Sequence, residues 1–350
     1  MKRLRLAIAG AGLIGRAHLE RIQPLDEARL VALADPSPAA AEVAQRAGVP
    51  LFGDLAPLLD EVRPDGVILA TPNALHAEQA MACIERGVPV LVEKPIADAL
   101  ADAQRLADAA ERSGVPVLVG HHRRHSAILE AARAVVASGR LGKLVAVTGS
   151  ATFYKPDRYF DEGPWRKRSG GGPILINMVH EVDTLRALLC DSAGEIVEVQ
   201  AIASSATRGF EVEDTVSINL RFAGGALGSF MLSDCAASPR SWEQTSGENR
   251  SYDHHADEDC YVIAGDRGSL SVPTMRLREY GGERSWWAPL HSERLPLPER
   301  DPLAAQLTHF CAVVRGDTAP RVTARDATRT LAVTLAIAEA ARSARPVAIH

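Results

Sequence analysis

Three glycines, Gly10, Gly12 and Gly15, restrict the fold more than any other feature, because of where they stand. An apolar run at residues 4–9 leads straight into them and a helical stretch at 14–22 leads straight out. Glycines spaced G-x-G-x-x-G let a strand turn tightly into a helix and let main-chain N–H groups approach a diphosphate at the helix N-terminus. The spacing alone is weak, since glycine is common; the strand before it and the helix after it supply the force. The same design calls for an acidic residue about 20 positions on, at the end of the second strand. Asp35 occupies that place, between Ala34 and Pro36. Its carboxylate can accept hydrogen bonds from both ribose hydroxyls and would repel a 2′-phosphate, and no Arg or Lys follows at once to reverse the preference. The expected cofactor is NAD, with NADP disfavoured, and Gly10, Gly12, Leu13, Ile14, Gly15 and Asp35 are its expected contacts. The competing explanation is a glycine turn in a doubly wound domain that binds another ligand.

The rest of the first third keeps the same rhythm. Apolar runs at 30–34, 66–70, 88–92 and 115–119 alternate with helical stretches at 39–47, 74–86 and 99–112. Short runs rich in Val, Ile, Leu and Ala are what strands buried on both faces require. Strands alternating with helices predict a doubly wound parallel sheet covered on both sides, an α/β Rossmann domain. The pattern then changes. After a helix at 127–137, strand candidates arrive at 144–153, 196–203, 215–222, 226–233, 260–264, 269–272 and 276–280, interrupted by a buried helix at 174–189. Segregated helices and successive strands predict an α+β domain with an open-faced, mainly antiparallel sheet. The expected division is 1–120 and 121–350, with the C-terminal helix, from 324 to 342, free to pack back on the first domain. The stretch 238–259 reads as a long polar loop.

Composition narrows the function. A chain of 350 residues is too long for one ordinary core. A net charge of −5 argues against a general nucleic-acid binder. The five cysteines are far apart, odd in number and form no C-x-x-C pair, which predicts reduced thiols in a cytoplasmic protein. The basic and apolar start resembles a secretion signal, but it breaks at Gly10 without a cleavage pattern. No segment offers the roughly 20 apolar residues that span a bilayer. Adjacent His254 and His255 lack the spacing of a helical metal site, so no metal is expected.

Candidate chemistry clusters at strand ends, where open α/β sheets bind ligands. Thr71, Asn73 and His76 follow the 66–70 run as further cofactor contacts, and Glu93-Lys94-Pro95 ends the next strand. A lysine there can sit partly buried beside a carbinol oxygen and favour its alkoxide. Alone it would be a surface lysine, and His180 alone a core histidine. Together with the glycine fingerprint, Trp165-Arg166, Gly170-Gly171-Gly172 and His180-Glu181-Val182-Asp183, they resemble the glucose–fructose oxidoreductase / inositol dehydrogenase family (Gfo/Idh/MocA) along essentially the whole chain.

That resemblance implies a Rossmann domain, an open-faced sheet domain, NAD(P) between them, and oxidation of secondary alcohols of sugars, cyclitols or related compounds, or the reverse. It implies that Glu93 and Lys94 belong to the cofactor site, that Lys94 also contacts the reacting hydroxyl, and that His180 is the general acid/base. Many members carry an Asp four residues before that histidine; here the position is Ile176, beside Asn177. Asn177 could hold substrate, or Asp183 could orient His180. Tyr154, Trp165 and Arg166 resemble substrate-pocket residues, and Arg123 or Arg124 is expected to meet substrate or cofactor, the equal alternative being the start of a solvated basic helix. Two other functions stay open: a dihydrodiol dehydrogenase of aromatic breakdown, and a non-catalytic NAD-binding sensor. An open sheet face needs a cover, for which a homodimer or homotetramer is expected.

Overall fold

A computed structural model of the chain describes residues 3–349. The described residues form two compact units, 3–125 with 302–331, and 126–301 with 332–349. Residues 121–125 and 302–331, expected in the second domain, thus group with the first unit.

The first unit is built on strands β1 (Leu4–Ala9), β2 (Ala28–Ala34), β3 (Leu51–Phe52), β4 (Gly66–Leu69), β5 (Val90–Val92) and β6 (Val117–Val119). They form one parallel sheet in the order β3-β2-β1-β4-β5-β6. Ile8 lies opposite Leu33 on one side and Ile68 on the other, so the chain order reverses at β1. A crevice opens at such a reversal, outside the carboxyl ends of the strands. β4, β5 and β6 are buried along their whole length, which explains their unbroken apolar sequences. Helices Leu13–Ile22, Ala40–Ala47, Asn73–Glu85 and Leu100–Ser113 lie close to the predicted stretches. Two elements went unpredicted. β3 is too short to show a period, and helix Leu55–Val62 buries Leu55, Leu58 and Leu59 behind an Asp54 whose Oδ1 accepts from Leu55 N–H at 2.6 Å.

The second unit carries β7 (Leu144–Thr152), β8 (Ile196–Ser204), β9 (Thr215–Phe222), β10 (Leu227–Ser233), β11 (Tyr261–Gly265), β12 (Gly268–Val272), β13 (Arg276–Tyr280), β14 (Leu290–Arg294) and β15 (Val347–Ala348). Their order is β14-β13-β12-β11-β7-β10-β9-β8-β15. The sheet is antiparallel except where β10 runs parallel to β7. Burial alternates along β9 and along β10 as far as Leu232, so one face is core and the other is open. On the covered face Leu220, Phe230 and Tyr261 pack in one cluster with Leu129 of helix Ala127–Ala137 and Val182 and Leu185 of helix Val179–Ala193. Helix Ala127–Ala137 starts where Ser126 Oγ accepts from Leu129 N–H. β14 is exposed at every residue and β15 is two residues long, so neither left an apolar pattern to read. The predicted loop 238–259 contains a short helix, Trp242–Thr245, anchored by buried Trp242. The predicted helix 174–189 opens with a π-helical turn, Ile174–Met178, before the α-helix begins.

One buried group in the first unit makes stability depend on pH. His125 is 2% exposed, and both of its ring nitrogens are buried without a hydrogen-bond partner. Burial, followed by the charges of Arg321, His309, His122 and Arg124, holds its pKa down to about 3. The unfolded chain takes up this proton near pH 6.5. The stability supplied by neutral His125 is therefore complete above that pH and is lost progressively as pH falls towards 3. Acidification from pH 7.5 to 5 should cost about 2 kcal/mol, visible as a fall in Tm. His125→Phe should flatten the slope; an unchanged slope would show that the histidine does not carry it.

Candidate active site

In the first unit the glycine loop lies at the crevice. Gly10 has φ of +95°, and a Cβ there would stand 2.3 Å from the carbonyl oxygen of Ala70 at the end of β4. A Cβ on Gly15 would stand 1.9 Å from the Gly10 carbonyl oxygen. These two glycines are demanded by the fold itself. Gly12 differs: a Cβ there meets nothing within 4 Å. It caps helix Leu13–Ile22 with no side-chain hydrogen bond. Unfilled space against uncapped helical N–H groups is the cradle a diphosphate requires, so the loop fits a dinucleotide. Leu13 beside it is 83% exposed. Asp35, at the end of β2, accepts from Ala11 N–H and Ser37 N–H at 2.7 Å each, which fixes its carboxylate next to the loop.

The other strand-end residues divide. Asn73 is exposed at the start of its helix, and Thr71 donates from Oγ1 to Gln79 Oε1 at 2.6 Å. His76 is buried, and its ring nitrogens lie 2.7 Å from the Pro95 carbonyl and 2.9 Å from the Thr71 carbonyl. Both nitrogens face main chain, so His76 ties two strand-end loops together instead of presenting a nitrogen to a cofactor. Lys94 is half-buried, as expected of a lysine at a strand exit. Its neighbour Glu93 is buried, with Oε1 2.7 Å from His18 Nε2. Burial raises the Glu93 pKa, but the His18 hydrogen bond and charge outweigh it and leave the carboxyl below its ordinary range. His18 thus joins the glycine-loop helix to the segment carrying Lys94. No motif marked it, although Gly15, His18 and Ile22 form the buried stripe of that helix.

Arg123 and Arg124, predicted at the entrance to the second domain, lie in the first unit. Arg123 is buried, and Arg124 Nη2 pairs with Asp326 at 3.1 Å. Arg124 is thus held by an ion pair within the first unit.

In the second unit His180 is half-buried near the start of its α-helix, and its carbonyl accepts from Thr184 Oγ1 at 2.8 Å. Asp183 is buried. The π turn means that the regular one-turn spacing between position 176 and His180 does not apply; π turns inside helices are frequent at functional sites. Asn177, in that turn, accepts at Oδ1 from Lys155 Nζ at 2.7 Å. Lys155 is buried, 3.6 Å from Asp234 Oδ2, and Arg208 Nε donates to Asp234 Oδ1 at 2.8 Å. Burial pushes the Lys155 pKa down to about 8 against the pull of Asp234, with Arg208 and Arg166 adding to the lowering. The Arg166 guanidinium lies 3.9 Å from the centre of the Tyr159 ring. Tyr154 and Trp165 are 59% and 54% exposed. Tyr154 lines a cleft of about 410 Å³ with Phe160, Phe210 and Arg208. Lys155, Asp234 and Arg208 lie in no periodic pattern, so nothing in the sequence pointed to them.

Comparison with known proteins places the fold in a known family. The family model described as the oxidoreductase family with an NAD-binding Rossmann fold matches residues 4–121, and that of the Gfo/Idh/MocA C-terminal domain matches 129–271. A 1,5-anhydro-D-fructose reductase of Ensifer adhaerens is 32% identical over 82% of this chain and 80% of its own. A scyllo-inositol 2-dehydrogenase (NAD(+)) of Bacillus subtilis is 26% identical over 98% and 96%. The WlbA dehydrogenase of Bordetella pertussis, solved with NADH and UDP-GlcNAcA, superposes with a TM-score of 0.79 at 26% identity, covering 100% of this chain and 99% of that one.

The glycines should separate in experiment. Gly10→Ala forces a Cβ into main chain at positive φ and should cost upwards of about 2 kcal/mol. Gly12→Ala should change stability by less than about 0.5 kcal/mol yet weaken NADH binding about tenfold or more, because its Cβ fills the cradle. Thermal melts with fluorescence titration of NADH decide; unchanged NADH affinity in Gly12→Ala would show that the cradle is not the diphosphate site.

Proposed function

Because the chain belongs to the Gfo/Idh/MocA oxidoreductases, we propose that it transfers hydride between a secondary alcohol of a sugar, cyclitol or related polyhydroxylated compound and a nicotinamide cofactor, NAD in preference to NADP. The observation that carries this reading is the unfilled cradle at Gly12 beside a fixed Asp35 carboxylate, with a half-buried Lys94 ending the next strand but one from β1. Gly12 and the helical N–H groups hold the diphosphate, and Asp35 accepts from the ribose hydroxyls while repelling a 2′-phosphate. A bound nicotinamide supplies the hydride acceptor or donor. Lys94 polarises the carbinol oxygen and favours its alkoxide. His180 takes the hydroxyl proton during oxidation and returns it during reduction. Asp183 is the candidate to orient His180, and Asn177, Tyr154, Trp165 and Arg166 form the substrate side.

Support for the substrate class comes from relatives named for an anhydro sugar and an inositol. The second unit's sheet exposes Ile202, Leu227, Met231 and Val262, and a second copy of the chain is the proposed cover. No helix among the described residues is long and apolar enough to cross a membrane. The proposed compartment is the cytoplasm, where the chain's cysteines stay reduced.

Absorbance of NADH measured across cyclitols, sugars, sugar acids and dihydrodiols should reveal one oxidised class. Lys94→Ala and His180→Ala should each lower kcat about 10²- to 10⁴-fold, and Asp35→Ala should shrink the NAD-over-NADP preference about tenfold or more. Undiminished turnover in Lys94→Ala would overturn the mechanism. Tight NAD binding with no turnover on any class would favour the sensor, and turnover of dihydrodiols alone would favour the aromatic pathway.

A further inference from the structure

The side chains around Asn177 specify a charge on whatever they bind. An ammonium has donors only, so the atom of Asn177 that faces Lys155 Nζ at 2.7 Å must be its amide oxygen. With the oxygen engaged, the amide nitrogen is the end left to meet a ligand, and it offers two donors. Asn177 lies in the π turn that leads directly into the α-helix carrying His180. An acidic residue here would present acceptors to a hydroxyl. This amide asks for an acceptor instead.

The charges nearby sharpen the demand. Arg208 is matched by Asp234 at 2.8 Å, by exposed Asp157 at 3.7 Å, and by the buried Asp214 carboxylate that receives its main-chain N–H at 2.9 Å. Lys155 shares Asp234, and Glu213 adds acidity from the neighbouring segment, although burial raises its pKa. Arg166 is different. Among the described residues no carboxylate pairs with it; it donates from Nη1 to the Tyr159 carbonyl, and its Nε is buried without a partner. Arg166 and Lys155 rest against the same Tyr159 ring, the guanidinium 3.9 Å and the ammonium 4.9 Å from its centre. A half-buried guanidinium with its Nε buried and unpartnered, held in place by an aromatic ring and with no anion beside it, is a ready receptor for a ligand that supplies one.

We propose that the substrate carries a carboxylate, received by the Asn177 amide N–H₂ and the Arg166 guanidinium, with Lys155 as the positioning residue that turns Asn177 donor-outward. This rests on the hydride-transfer reading above and narrows its substrates to polyhydroxylated acids. A pH signature follows from Lys155, whose pKa is held near 8 by burial, against Asp234, with Arg208 and Arg166 lowering it further. As pH rises past that value the amine loses its charge and can accept as well as donate. Asn177 is then no longer oriented, so affinity for the acid falls at alkaline pH.

The test is calorimetric titration of the NADH-loaded protein with matched pairs, D-glucuronate against D-glucose and D-galacturonate against D-galactose. The acid should bind about tenfold or more tightly than its neutral partner in at least one pair. Asn177→Asp keeps the size, gives Lys155 a carboxylate partner and replaces donors with acceptors. It should cut the acid-over-neutral ratio about tenfold to a hundredfold, and Arg166→Gln should act in the same direction. Lys155→Met should abolish the loss of acid affinity above pH 8, a change that a purely structural lysine would not produce. Equal affinity within both pairs, or a ratio untouched by Asn177→Asp and Arg166→Gln, overturns the inference. Acid binding without NADH formation from NAD keeps the carboxylate site and overturns hydride transfer; turnover confined to the neutral sugars does the reverse.

Discussion

Gly10 is the point at which three strand ends and a helix converge. Its N–H donates to Ala34 at the end of β2, at 2.8 Å, and the Ala70 N–H beyond β4 donates to Ala9 at 2.7 Å. The Ala70 carbonyl then occupies the space a Gly10 side chain would need, and the Gly10 carbonyl occupies that of Gly15. Nothing larger than hydrogen fits at either position, so the close approach of the glycine-loop helix to the strand ends requires glycine at both. Its consequence is the cradle at Gly12. Because the flanking glycines are committed to packing, the middle one is left facing open space, and the N-terminal N–H groups of the helix are directed there.

A buried hydrogen-bonded pair extends that constraint to a further strand end. Glu93 beside Lys94 finds its partner in His18, on the inner face of the same helix. A carboxylate in this position must be paired, since an isolated charge in the interior is far costlier than the pair. The helix proposed to cradle the diphosphate is thereby joined to the segment that carries the proposed catalytic lysine. The second unit uses the same device: Asp234 holds Lys155 and Arg208 together, and Lys155 in turn holds Asn177.

Much of the fold was legible from residue types alone. The strands of the first unit are short Val, Ile and Leu runs because both faces are buried, and their alternation with helices predicted a parallel sheet. Helix Ala127–Ala137 was legible from its apolar spacing and its terminal Ser-Gly. The missed strands are those on which burial imposes no pattern: β3 and β15 at two residues each, and β14, exposed throughout. The π turn at Ile174–Met178 was hidden because its residues are as apolar as those of an α-helix.

The sequence by itself pointed to the glycine loop and Asp35 through their offsets from strands whose period is written in neighbouring residues, and to Lys94 and His180 through the family resemblance that their motifs carry. Only the tertiary structure decided which polar groups meet. His18 and Glu93 are 75 residues apart, Lys155 and Asn177 are 22 apart, and Arg124 and Asp326 are 202 apart. Local periodicity carries no record of such pairings, since they are selected by the cost of leaving a charge or an amide unmatched once the backbone has buried it. The same cost distinguished His76 and Arg124, absorbed into the framework, from Asn177 and Arg166, which face an acceptor still to come.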